Sequence, residues 1–93
     1  MYTRIKNLNG TSDNNPPRGY ISFEEFWQVI KGYWPHECSV YGCTNRAEVG
    51  AHVKKVDTYD GSWYIAPMCK YHNNQRGEEL YVDGDKLIKL NNH

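Results

Sequence analysis

Residues 68–74 read MCKYHNN, a cysteine followed three positions later by a histidine and then by two asparagines. A second short-spaced pair stands upstream in CSVYGC, residues 38–43. Four residues separate Cys38 from Cys43, two separate Cys69 from His72, and twenty-five lie between the pairs, enough for a β-hairpin. Zinc takes four soft or borderline donors in a tetrahedron, and two such pairs on separate elements supply them. A tight turn lets Cys38 and Cys43 bite one ion. A spacing of three at a helix start puts Cys69 and His72 on the same side, and the helix N-terminus favours the thiolate of Cys69. The plainer account makes the cysteines small buried hydrophobes and His72 a surface residue. His52 and His36 compete with His72 for the fourth position, and His36 is so near Cys38 that it crowds the chelate.

The totals agree with a metal staple. A chain of 93 residues is expected to form one domain. At this size a core buries a modest share of the chain and commonly needs reinforcement. Three cysteines fit a disulfide framework poorly and a mixed Cys/His site well, and free thiolates suit a reducing compartment. No apolar run approaches the ~20 residues that span a bilayer. The start MYTRIKNLNG lacks the apolar stretch of a signal peptide. The expectation is a cytoplasmic protein with no membrane partner. Net charge is zero: residues 1–36 carry four basic and three acidic side chains, residues 37–93 seven and eight. The bulk field therefore does not mark a nucleic-acid binder.

Outward from the ligand pairs, the fold expected is α+β. Residues 1–21, with NLNGTSDNNPPRG, read as an arm or loop. Ser22 stands three residues before Glu25, a capping-box spacing. Phe23, Phe26, Trp27 and Ile30 then recur at helical spacing with Tyr33 extending the stripe, before Gly32 and Pro35 stop it. The spacing predicts an amphipathic helix over 22–33 whose aromatic face is core. AEVGAHV (47–53) and SWYIAPM (62–68) read as two strands around an Asp60-Gly61 turn. Pro67 marks an edge or strand end. Cys69 opens a short helix ending near Arg76-Gly77, and ELYVDGDKLIKL (79–90) reads as a C-terminal hairpin around Asp83-Gly84.

The order knuckle, hairpin and ligand-bearing helix over residues 38–76 resembles a treble-clef zinc finger. More narrowly, CSVYGC, GAHV and YIAPMCKYHNN resemble the HNH endonuclease superfamily. The whole chain is also similar to small bacterial proteins with a GTSD stretch and a GAHV…WYI-P-C…HN core. The resemblance implies a structural zinc held by Cys38, Cys43, Cys69 and His72. It also implies that His52 stands where the family's general base activates water against a phosphodiester. Asn73 stands where the family holds a second divalent cation, Mg(2+), Mn(2+) or Ni(2+), beside the leaving oxygen.

The sequence departs from the family where its central asparagine, which positions the histidine, falls on Tyr64; Ala51 precedes His52 in place of an acidic or histidine neighbour. A hydrolytic magnesium site also needs an anionic ligand, for which Asp57 and Asp60 are nearest in sequence, although the favoured reading of both is as solvated turn residues. The plainer reading of His52 is a buried strand histidine bonded to a backbone carbonyl, or a group beside the zinc ligands. Arg46, Lys54, Lys55, Lys70 and Arg76 surround the finger as a phosphate patch, or as a mixed-charge surface diluted by Glu48, Glu78 and Glu79. Three functions follow. The favoured one is a zinc-binding module that engages a protein or nucleic-acid partner without catalysis. The alternatives are an HNH-type endonuclease using His52, and a small inhibitor or accessory protein from a mobile element.

Overall fold

The Ser22 hydroxyl accepts the Glu25 amide at 3.0 Å, and from that cap the helix α1 runs Phe23–Lys31. Gly32 ends it in the left-handed conformation, φ 85°, with its N–H on the Gln28 carbonyl, as a C-terminal glycine does. The computed structural model describes residues 1–8, 16–58, 61–75 and 77–90. In chain order the elements are β1 (Tyr2–Asn7), α1, β2 (Val49–Lys55), β3 (Trp63–Met68), α2 (Lys70–Asn73), β4 (Glu79–Asp83), a single 3-10 turn (Gly84–Lys86) and β5 (Ile88–Leu90). Among the described residues no helix is long and apolar enough to cross a membrane.

All strand pairs are antiparallel, in the order β4-β1-β2-β3-β5. Two expectations are corrected. Residues 1–21 are not all arm: Tyr2–Asn7 is a strand paired on both sides. The GTSD stretch, residues 10–13, lies outside the described residues. Residues 79–90 form two strands but no hairpin. β4 pairs with β1, and β5 pairs with β3 at the other end of the sheet.

That separation forces the sheet to curl. From Asp83 to Ile88 the chain reaches at most about 17 Å, whereas four flat inter-strand steps need about 19 Å before any offset along the strands. The knuckle bridges the gap. Ser39 N–H donates to the Pro67 carbonyl (3.0 Å), Tyr41 N–H to the Tyr81 carbonyl (2.7 Å), and Asp83 N–H to the Ser39 carbonyl (3.2 Å). Residues 39–41 thus tie β4 to the end of β3 that β5 leaves uncovered. Pro67 sits beyond the three residues of β3 that pair with β5, so its missing N–H breaks no ladder.

Strand alternation divides the interior. On the concave face Ile5, Ala51, Val53, Tyr64, Ala66, Met68 and Val82 pack with Cys38 and Cys69. On the convex face Ile65, Ile88 and Leu90 pack under Trp27, with Phe23, Phe26, Trp34 and Trp63 around them. The aromatic stripe of α1 is narrower than its spacing predicts: Trp27 is fully buried, whereas Ile30 is 54% exposed. The contacts on this face run to the Phe23, Phe26 and Trp27 side of the helix, while Tyr33 and Trp34 turn back beyond Gly32 to pack their rings on Trp27.

Gly50 sets how closely α1 approaches. A Cβ there would lie 3.1 Å from the Glu24 nitrogen, the Phe23 carbonyl carbon and Ile65 Cγ2. Two of those atoms are backbone and cannot swing aside. Gly50→Ala is expected to cost about 1–3 kcal/mol, the range for overpacking. Urea unfolding of the two proteins side by side measures it, and equal midpoints would mean that the helix does not seat on β2 in this way.

Candidate metal centre

Cys38 and Cys43 flank the turn 39–42. Gly42 supplies the left-handed step (φ 78°), and Cys43 N–H closes the turn on the Val40 carbonyl at 3.0 Å. Below the turn the two arms pair, with Cys38 N–H on the Asn45 carbonyl (2.8 Å) and Ala47 N–H on the His36 carbonyl (2.9 Å). Trp34 anchors this base by donating its indole N–H to the Ala47 carbonyl (3.0 Å). Cys69 is the N-cap of α2 and His72 lies one turn on. Glu48 Oε1 accepts the Lys70 amide at 3.2 Å, satisfying one open donor of that first turn.

These elements bring one atom each from Cys38, Cys43, Cys69 and His72 within 4.8 Å of one another, a group that can hold a metal ion. Cys43 Sγ lies 3.9 Å from Cys69 Sγ. His72 Nδ1 lies 3.3 Å from Cys69 Sγ and 3.9 Å from Cys38 Sγ. A zinc tetrahedron with Zn–S near 2.3 Å and Zn–N near 2.05 Å has edges of about 3.8 Å between sulfurs and about 3.6 Å between sulfur and nitrogen. The sulfur–sulfur edge lies close to its value, and the two sulfur–nitrogen edges fall on either side of theirs. No two of the cysteines are disulfide-bonded. The donor set therefore fits Zn(2+) in a closed structural site.

Burial pushes the Cys38 thiol up to about 12, against partial relief from the backbone amides of Cys69 and Val40. Burial also raises Cys69, but the His72 amide, the Asn45 side chain and the neighbouring thiols outweigh it, and the net direction is down. Asn45 Nδ2 points at Cys69 Sγ from 3.7 Å. A cation held among the sulfurs would offset the burial penalty on Cys38, since a coordinating thiol is deprotonated.

Asn7 is the site residue that the sequence does not reveal. It is buried on β1, and its Nδ2 donates to the carbonyls of His72 (2.8 Å) and Gln75 (3.1 Å), with Asn73 at 3.4 Å. One amide thus fixes the turn that carries His72. No local pattern links a residue of the first strand to a ligand 65 positions away; Asn45, two residues past Cys43, is at least adjacent to the motif. Asn7→Ala is expected to weaken zinc binding roughly 10–100-fold, as loss of ligand-orienting groups does. A chelator competition titration reads this, and an unchanged constant would remove Asn7 from the site.

The remaining candidates lie elsewhere. His52 projects from the face of β2 opposite Ala51 and Val53, away from the thiols and beneath α1. Its ring meets Phe23 edge to face at 4.1 Å and tilts against Trp63 at 6.2 Å, and burial lowers its pKa. Tyr64 projects from the concave face, where Lys55 Nζ sits 4.7 Å over its ring. Asn73 ends α2 with its backbone carbonyl toward Asn7. His36 is exposed. Asp57 is an ion-pair residue: its carboxylate meets the Arg4 guanidinium, which also reaches Glu79 at 3.2 Å. Arg46 and Lys70 are exposed, and Lys54 is half-buried. Asp60 and Arg76 lie outside the described residues. No family model, no curated protein and no solved structure matches the chain.

Proposed function

We propose that the chain is a zinc-stapled treble-clef module, HNH-like in descent, that binds a protein or nucleic-acid partner in the cytoplasm and does not cut phosphodiesters. The observation that carries the metal half is the Cys38, Cys43, Cys69, His72 cluster, with edges near those of a zinc tetrahedron. The likeness to a treble clef rests on the order of knuckle, β2–β3 hairpin and α2 around that cluster.

Strand parity argues against catalysis. An HNH-type base must be open to water and oriented by a neighbour, and His52 is buried under Phe23. Tyr64, at the position of the family's orienting asparagine, pairs with Val53 while His52 pairs with Ile65. The two side chains therefore leave opposite faces, and a tyrosine hydroxyl there cannot take over the asparagine's task. Asp57 is already engaged with Arg4 instead of standing free for a second cation.

Elemental analysis followed by a plasmid cleavage assay tests both halves. The expected result is one zinc per chain and no cutting with Mg(2+), Mn(2+) or Ni(2+). Cutting that disappears in a folded His52→Ala variant would replace this reading with the endonuclease.

A further inference from the structure

We infer that a cleft beside the knuckle is a binding site for an arginine side chain presented by a partner protein. The cleft, about 660 Å³, lies between the loop carrying Cys38 and Cys43, the chain leaving α1, and the ends of β1 and β4. Its aromatic walls are Tyr2, Tyr33, Trp34 and Tyr41. Three of these rings remain in contact with water around one concavity: Tyr33 is 47% exposed, Tyr2 53% and Tyr41 65%. The walls also touch neighbours, Tyr33 packing edge to face on Trp27. Tyr2 and Tyr41 meet edge to face with centroids 4.6 Å apart, and Trp34 is held through its indole bond to Ala47. Rings already in place lose little freedom when a ligand arrives.

The charges select the ligand. Glu37 and Asp83 line the same cleft, and among the described residues neither forms an ion pair. The Asp83 carboxylate accepts the Asp85 amide, which leaves its charge uncompensated. Against these two carboxylates stands one ammonium, Lys86, whose Nζ lies 5.5 Å over the Tyr33 ring. The chain's own lysine thus already uses an aromatic face of this cleft as a cation site. A guanidinium suits the remainder better than an ammonium. Its plane stacks on a ring while its fork pairs with a carboxylate. An anionic partner, a nucleic-acid backbone included, would meet the carboxylates instead.

This inference rests on the reading of the chain as a partner-binding module and names the partner's chemistry. The zinc-loaded full chain is titrated, by tryptophan fluorescence and calorimetry, with three probes. These are an acetylated hexapeptide of alternating glycine and arginine, its glutamate counterpart, and single-stranded oligothymidine. Saturation is expected with the arginine peptide alone. Glu37→Gln and Tyr41→Ala should each weaken it roughly five- to tenfold, with zinc content and melting temperature as controls.

Lys86→Met should tighten binding several-fold by vacating the Tyr33 face, a sign that mere structural damage would not produce. Failure of the arginine peptide to saturate, or indifference to both weakening variants, overturns the assignment. Saturation by oligothymidine alone overturns it too, and leaves the partner-binding reading in place. A chain that holds no zinc yet saturates with the arginine peptide keeps the cleft and refutes the metal module.

Discussion

Excess chelator is expected to unfold the sheet along with the metal cluster. The closing bonds of the sheet are made by Ser39 and Tyr41, between the two knuckle cysteines. The knuckle's own fastening is a single turn bond, a pair of base bonds and the Trp34 indole bond to Ala47. Without an ion, the three thiols and the imidazole are left with only weak sulfur hydrogen bonds among themselves and to Asn45. Structural zinc contributes an apparent 10–16 kcal/mol in finger peptides, while a domain of this length is stable by roughly 5–14 kcal/mol in all. The ion term is therefore of the same size as the whole margin. Far-UV circular dichroism should lose its folded signature after chelation and recover with one equivalent of zinc.

Cys69→Ser should mimic chelation more fully than Cys43→Ser. Cys69 touches Cys43, His72 and Asn45 and is buried, whereas Cys43 is half-exposed. A chelated protein with unchanged dichroism and melting temperature would show that the four side chains meet without a metal between them.

The sequence makes this cluster legible because ligand spacing is a local property: each pair is set by one turn. The same holds for α1, whose cap and stop are written within eleven residues and appear in the structure at Ser22 and Gly32, although Ile30 of its stripe is exposed. What is not legible depends on distant partners. The inward positions of β1 are Thr3, Ile5 and Asn7, and only Ile5 is apolar, so no alternation announces a strand. Its pairing comes from β2 and β4, about fifty and seventy-five residues away.

The alternation in Leu80, Val82, Ile88 and Leu90 does announce two strands, but an Asp-Gly step between them implies a hairpin only if both strands lack better neighbours. Here β1 takes β4 and β3 takes β5, and Asp83 caps a 3-10 turn instead by accepting the Asp85 amide at 3.0 Å. The functional reading shares this pattern. The meeting of the four candidate ligands follows from spacing, whereas the face from which His52 leaves its strand follows from which side α1 covers, and no motif encodes that.

Trp27→Ala is expected to cost about 3–5 kcal/mol, the range for truncating a buried large aromatic, and to lower the melting temperature by roughly 12–40 °C at 4–8 °C per kcal/mol. Trp27 is fully buried and sits among Ile65, Ile88 and Leu90. Its ring meets Tyr33 at 5.4 Å and Trp34 at 5.5 Å, both edge to face. Its indole N–H donates to the Lys86 carbonyl at 2.8 Å, in the turn joining β4 to β5, so one side chain pins α1, β5 and that turn together.

Trp27→Phe separates the contributions: it keeps most of the apolar contact but leaves the Lys86 carbonyl without its donor, a loss of about 1–3 kcal/mol. Both variants should still take up zinc when folded at low temperature, because the thiols belong to the concave cluster and Trp27 to the convex one. Should Trp27→Ala melt within a few degrees of the parent, the convex layer would lie outside the cooperative unit. Zinc and the concave cluster would then hold the sheet without α1.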